Sequence, residues 1–151
     1  MPYPKNRLAA LLLTLSVAIA GCARPAPTTQ AVVAPAEART EYQVFFDTDS
    51  AEIDARGQAV VAAIAAVAAN NDKMSVRVIG KTDRVGSPPV NMALSKRRTE
   101  AVLAELVAAG MPTARIDWGW TGERRPDVAT ADEKSEPRNR VVDITVMKEP
   151  G

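Results

Sequence analysis

The chain has 151 residues, with 19 Lys and Arg against 18 Asp and Glu, a formal charge of +1, one cysteine and no histidine. This near-neutral balance gives no argument for nucleic acid as a partner, which favours strongly basic domains. The lack of histidine excludes serine–histidine and cysteine–histidine catalysis and removes the commonest metal ligand and general base.

The N-terminus opens with Lys5 and Arg7, followed by an apolar run from Leu8 to Ala20. That run is shorter than the ~20 residues a membrane-spanning helix needs, and it is the size of the apolar region of a secretory signal peptide. It ends in Ile19-Ala20-Gly21-Cys22, which resembles a bacterial lipobox. On that resemblance residues 1–21 are a lipoprotein signal peptide, and Cys22 becomes the acylated first residue of the mature chain. Several acyl chains hold a protein durably, whereas one alone binds a membrane only marginally. Ala23 follows, where an aspartate would signal retention, so the resemblance implies sorting to the outer membrane. Removal of residues 1–21 takes Lys5 and Arg7 and no acid, which moves the formal charge from +1 to −1.

Residues 22–40 are rich in Ala, Pro and Thr and show no apolar periodicity. They read as a tether, whose 18 or so residues would reach roughly 55 Å in polyproline-like extension. The remainder, 41–148, is long enough for one domain and too short for two.

Tyr42 to Phe46 has the aromatic and branched residues of a strand. From about Asp54 to Asn70, Val60, Ile64 and Val67 fall at helical spacing among alanines. Met74 to Ile79 alternates as a second strand and closes on Gly80-Lys81-Thr82-Asp83. Ser87 and Pro88 are suited to the cap and first turn of a second helix. That helix runs to Ala109, with Gly110 as its terminator and Pro112 beyond. Arg115 to Thr121 is a third strand, Thr130 to Arg138 a polar loop, and Val141 to Met147 a last strand. The order βαβαββ predicts an α/β (α+β) two-layer sandwich with one mixed sheet and two main helices.

Two charged residues stand out. Leu94, Arg98, Val102 and Leu106 recur every fourth position, so a guanidinium sits in an apolar stripe. An uncompensated buried charge is costly, and Asp83, at the end of the preceding strand, is the expected partner. Strand ends of this kind carry ligand crevices in open α/β sheets. The pair therefore reads either as a binding site or as a structural salt bridge.

Four segments occur in one order: Phe45-Phe46-Asp47-Thr48-Asp49, Gly80 to Gly86, Asn91 to Arg98, and Glu136 to Val142. Together they resemble the OmpA-like peptidoglycan-binding domain, the family that includes Pal lipoproteins, over essentially all of 41–147. The resemblance implies noncovalent binding of the peptidoglycan stem peptide through meso-diaminopimelate, with no cofactor. By the same carry-over, Asp83 and Arg98 grip the amino and carboxylate groups of that residue. Thr82, Thr48 and Asp49 line the groove, and Asn91, Leu94 and Arg140 support it. The chemistry suits a zwitterionic ligand end, which needs one anion and one forked cation. Backbone N–H groups from Thr82 to Gly86 are candidates for further donors.

Three positions depart from the family pattern. Lys81 stands where histidine is common and would add positive charge beside Asp83. Val141 replaces the second of two arginines, leaving Arg140 alone. Trp120 occupies a position that is often glycine, as core packing or as a sugar-stacking surface, and Trp118 is expected to point inward. The Asp47-x-Asp49 start of a calcium loop fails at Ala51 and Glu52. Asp47, Asp49, Glu52 and Asp54 fit helix-capping roles better than a glycan-cleaving carboxylate pair. The reading is a binding module tying outer membrane to cell wall. An interaction hub of Pal type with Tol-Pal-type envelope partners is second, and a wall hydrolase third.

Overall fold

The computed structural model describes residues 38–148. The expected signal peptide, Cys22 and the expected tether up to residue 37 lie outside these described residues. Six main elements follow one another: β1 (Ala38–Phe45), α1 (Ala55–Ala69), β2 (Met74–Lys81), α2 (Pro88–Ala108), β3 (Ile116–Gly122) and β4 (Val141–Lys148). The four strands form one mixed sheet in the order β1-β4-β2-β3. β4 is antiparallel to both β1 and β2, while β2 and β3 are parallel. The predicted α/β sandwich of one mixed sheet and two helices is the observed fold.

Strand β1 begins earlier than its side chains suggest. Ala38, Arg39 and Thr40 face Lys148, Met147 and Val146 of β4, so the backbone ladder carries the strand three residues into the expected tether. Alternation then decides which face each side chain takes. Val44, Val76, Val78, Val142, Ile144 and Val146 are buried toward the helices. Each such side chain contributes about 1.5–3 kcal/mol on removal from water. The opposite face carries Gln43, Arg77, Lys81, Asp117 and Asp143, and Arg77 pairs across strands with Asp117 at 2.8 Å.

Helix α1 is capped by Asp54, whose Oδ1 accepts from the Gly57 N–H at 2.7 Å. Its core face is Val61, Ile64, Ala65 and Ala68. Val67, expected on that face, is exposed, because the 3.6-residue period through Ile64 reaches Ala68 instead.

Helix α2 buries Leu94, Arg98, Val102 and Leu106, the stripe read from the sequence. Ser87 is its N-cap by backbone position but makes no side-chain cap bond. At the other end Gly110 takes a positive φ of 95°. Its N–H bonds to Val107 O, while the Met111 N–H bonds back to Leu106 O. This double closure satisfies the last carbonyls and folds Met111 into the core. Where α2 crosses β2, a Cβ on Gly80 would stand 2.3 Å from Ser95 O and 2.3 Å from Thr99 Oγ1. Only glycine permits that approach.

Candidate functional site

Because β4 opposes β1 and β2, and β3 follows β2, the C-terminal ends of β1, β2 and β3 share one end of the sheet with the start of β4. Three loops converge there: 46–54 after β1, 82–87 after β2, and 123–140 between β3 and β4. The predicted site residues fall on these loops or on α2, with Asn91 and Leu94 in its first two turns and Arg98 near its middle.

Arg98 enters this end from α2 and is fully buried. Its Nε donates to Ser50 O at 2.8 Å, Nη1 to Lys81 O at 3.1 Å and Nη2 to Asp47 O at 2.9 Å. The Phe46 ring lies 5.2 Å from the guanidinium carbon. Burial lowers its pKa to about 10, with attraction from Asp83 opposing that fall and Arg140 adding to it. The expected Asp83–Arg98 contact is thus corrected: the two feel each other's charge, but the guanidinium is held by carbonyls. Those carbonyls supply partial negative charge on three sides and make Arg98 a staple between the β1–α1 loop and the end of β2.

Asp83 finds its cation in Arg140. Arg140 Nη1 lies 3.3 Å from Asp83 Oδ2, and both side chains are largely buried. The same oxygen accepts from Ser135 Oγ and from the Glu136 N–H, each at 3.4 Å. Arg140 also donates through Nε to Phe46 O at 3.1 Å and through Nη1 to Ser135 Oγ at 3.1 Å. Arg138 forks onto the Glu136 carboxylate and holds its pKa below the usual value. A cavity of about 260 Å³ beside Arg140 is lined by Phe46, Asp47, Glu52, Asp54 and Pro137.

The remaining predicted residues take different positions. Thr82 is buried, its N–H donating to Gly122 O, and its Oγ1 has no hydrogen-bond partner among the described residues. Thr48 and Asp49 are exposed on the turn that Arg98 staples, with Asp49 at a positive φ of 53°. Asn91 is buried and donates to Glu123 Oε2 at 2.6 Å. Leu94 is buried beneath it on α2. Of the expected backbone donors, Gly86 N–H already serves Glu133 Oε2 at 3.1 Å.

Lys81 departs most from expectation. Its ammonium points away from Asp83, onto the helix-free face, where it pairs with Asp127 and Asp143. Burial alone would lower its pKa, but the hydrogen bonds to Asp127 and Asp143 outweigh that and the net shift is upward. These groups line a separate cavity of about 660 Å³ with Glu41, Gln43 and Thr145. Trp118, expected to point inward, is 44% exposed, and Trp120 is 37% exposed. Asp54 is engaged as the α1 cap.

Sequence reasoning missed the part played by the 123–140 loop. Asn139 is fully buried and bonds both backbone groups of Val128, each at 2.8 Å. Glu133 N–H bonds Arg84 O at 2.8 Å, and Arg84 pairs with Asp132. The Glu136-Pro137-Arg138-Asn139-Arg140 segment was the available signal. Its Asn folds the loop that brings Ser135 and Glu136 to Asp83.

The sequence profile described as the OmpA family matches residues 45–140. An outer membrane protein of Gluconacetobacter diazotrophicus is 40% identical over 117 residues, covering 74% of this chain and 31% of that protein. The probable lipoprotein YiaD of Escherichia coli is 32% identical over 103 residues, covering 68% and 47%. This chain therefore spans less than half the length of each of these two relatives. The peptidoglycan-associated lipoprotein of Burkholderia pseudomallei superposes with a TM-score of 0.64 at 29% identity, over 69% of this chain and 88% of that one. The OmpA-like domain of FopA1 from Francisella tularensis gives 0.65 at 21% identity, over 79% and 80%, and supports the fold alone.

Proposed function

The chain belongs to the OmpA family, and from that membership and the geometry around Asp83 we propose that it binds peptidoglycan noncovalently through the diaminopimelate of the stem peptide. The observation that carries this reading is a carboxylate, 5% exposed, fixed where three loops meet. It has Arg140 on one side and the Ser135 and Glu136 donors on the same oxygen. A carboxylate and a guanidinium held side by side offer opposite charges to the ammonium and carboxylate of a zwitterionic ligand end.

In this reading Asp83 takes the ammonium and Arg140 meets the carboxylate. Arg98 positions both by stapling Asp47, Ser50 and Lys81. Thr82, Asn91 and Leu94 hold the ends of β2 and α2 in place, and Thr48 and Asp49 form the rim. The mature chain is anchored in the outer membrane through acylated Cys22, and residues 23–37 space the domain from the lipid. The relatives named as outer membrane proteins and the likeness to a peptidoglycan-associated lipoprotein support this envelope role.

Sedimentation of the purified full chain with intact sacculi tests the reading. The protein is expected in the pellet, and no muropeptide is expected in the supernatant. Protein left in the supernatant at low salt would overturn the binding assignment. Muropeptide release would replace it with the hydrolase alternative.

A further inference from the structure

We propose that Trp118 and Trp120 form a platform that stacks the amino-sugar strand of peptidoglycan, beside the pocket that takes its peptide. This rests on the wall-binding reading of the Asp83 pocket and adds a second, chemically separate contact to it.

Strand β3 is the outermost strand of the sheet. Ile116, Trp118 and Trp120 alternate onto one face, and Ile116 is buried in the core while both indoles are partly exposed. Two residues apart on a strand, they sit roughly 7 Å from one another. Charged groups of α2 lie beside Trp120. Lys96 Nζ lies 5.4 Å from the centre of the Trp120 ring, and Lys96 pairs with Glu100 at 3.7 Å. Partly exposed aromatic rings with an ammonium and a carboxylate close by suit a pyranose, which presents C–H bonds on its face and hydroxyl and amide groups at its rim. A lipid chain or an apolar helix would instead strip water from Lys96 and Glu100 without replacing it.

Position selects the same occupant. Trp120 lies opposite Gly80 in the β2–β3 register, three residues before Asp83, which places it roughly 10 Å from the pocket along the strand. On α2 the step from Asn91 to Lys96 is about 7.5 Å in the same direction. Diaminopimelate is the third residue from the sugar, and three extended residues span roughly 10 Å. A stem peptide seated at Asp83 and running along α2 would bring its own sugar to the height of Trp120.

The chain contains two tryptophans, so emission excited selectively from tryptophan reports on this patch alone. The full chain is titrated with glycan strands freed of peptide by amidase and, separately, with stem peptide freed of sugar. Glycan strands are expected to shift the emission and saturate. Trp120→Ala is expected to weaken glycan binding, read by calorimetry, by about tenfold. Unchanged emission of the wild-type chain with glycan would overturn the platform, whatever the fate of the variant. A shift that grows with protein concentration and needs no sugar would assign the patch to a second copy paired along β3. Stem-peptide binding is read by calorimetry on its own: its absence alongside glycan saturation overturns the Asp83 pocket, and its presence without glycan binding overturns only the platform.

Discussion

Arg140 Nη1 stands 3.3 Å from Asp83 Oδ2, and the same side chain donates its Nε to Phe46 O at 3.1 Å. One guanidinium thus links the loop after β2, the end of β1 and the start of β4. The backbone closes the same junction, since the Phe46 N–H bonds to Arg140 O at 2.9 Å. The carboxylate at the centre of the site is held by strand ends, and such ends move less than free loops.

Asp83→Asn should separate binding from folding. The amide oxygen can still accept from Ser135, Glu136 and Arg140, so the stability loss should be about 1–3 kcal/mol, the worth of charge-assisted over neutral bonds. Binding of a diaminopimelate stem peptide should lose ~2–5 kcal/mol, because the ligand ammonium meets a neutral group and Arg140 is left uncompensated. Calorimetry and thermal unfolding on one preparation give both quantities. Wild-type affinity with a collapsed melting temperature would make the Asp83–Arg140 pair a structural salt bridge.

Gly80→Ala tests the β2–α2 contact that positions the site. The new Cβ would meet the Ser95 carbonyl at 2.3 Å, and backbone cannot rotate away as a side chain can. Overpacking of this kind costs about 1–3 kcal/mol, or more where backbone must shift. Since α2 carries Asn91, Leu94 and Arg98, sacculus binding should fall with the melting temperature. A fully stable Gly80→Ala variant would show that α2 can lift without loss.

Much of this architecture is legible in the sequence because local chemistry fixes it. Asp54 caps α1 and Gly110 ends α2, each through a backbone geometry that few residues favour. What was hidden depends on partners distant in the chain. The start of β1 at Ala38 follows from pairing with the far end of β4, which the side chains Ala-Arg-Thr do not announce. Trp118 shares the helix-side face with Ile116 but is partly exposed because β3 is the edge strand, and strand order is not written in periodicity. Arg98 was correctly read as a buried cation. Its partners are carbonyls, which every residue carries, so no residue type could signal them. Lys81 escapes the sequence pattern because the visible alternation ends at Ile79, whereas β2 runs on to Lys81. Two further residues of alternation carry Lys81 to the helix-free face.

Lys81→Met should destabilise the fold through that other face. Removing the ammonium leaves Asp127 and Asp143 as uncompensated neighbours, at a cost of about 1–3 kcal/mol for a partly exposed cluster. The folded pKa of Lys81 is raised, so its contribution is complete below the ordinary lysine range and is lost as pH rises through the folded value. The melting-temperature gap between wild type and Lys81→Met should therefore be constant near neutrality and narrow in strong alkali. A gap that widens with alkali would reverse the sign assigned here.

Cys22→Ser addresses the proposed anchor. Without the thiol no thioether to lipid can form, and the remaining attachment would be to the wall alone. After lysozyme digestion of sacculi, wild type should stay with outer-membrane vesicles in high salt, and the variant should appear in the soluble fraction. Retention of Cys22→Ser on wall-free membranes would remove the lipid anchor from the proposal.

Arg98 gives the sharpest test of how the site is held. Arg98→Met removes the donors to Asp47 O, Ser50 O and Lys81 O and leaves three carbonyls at a buried junction. Each orphaned acceptor costs about 1–3 kcal/mol where water cannot replace the donor, and partial rehydration brings the expected total to about 3–5 kcal/mol. Arg98→Lys should recover only part of this, since one ammonium on a flexible stem cannot reach three carbonyls that the planar fork reaches at once. Burial lowers the Arg98 pKa to about 10, below its unfolded value, so relief of the buried charge would raise stability only as pH climbs above that point. From about pH 5 to about pH 9 the residue stays charged in both states, and the wild-type-to-variant gap should not change on its account. Stem-peptide affinity should fall in step with the loss of the stapled Asp47–Ser50 turn, and Arg98→Lys should lie between wild type and Arg98→Met in both stability and affinity. A wild-type melting temperature for Arg98→Met with binding abolished would instead place the guanidinium in direct contact with the ligand carboxylate.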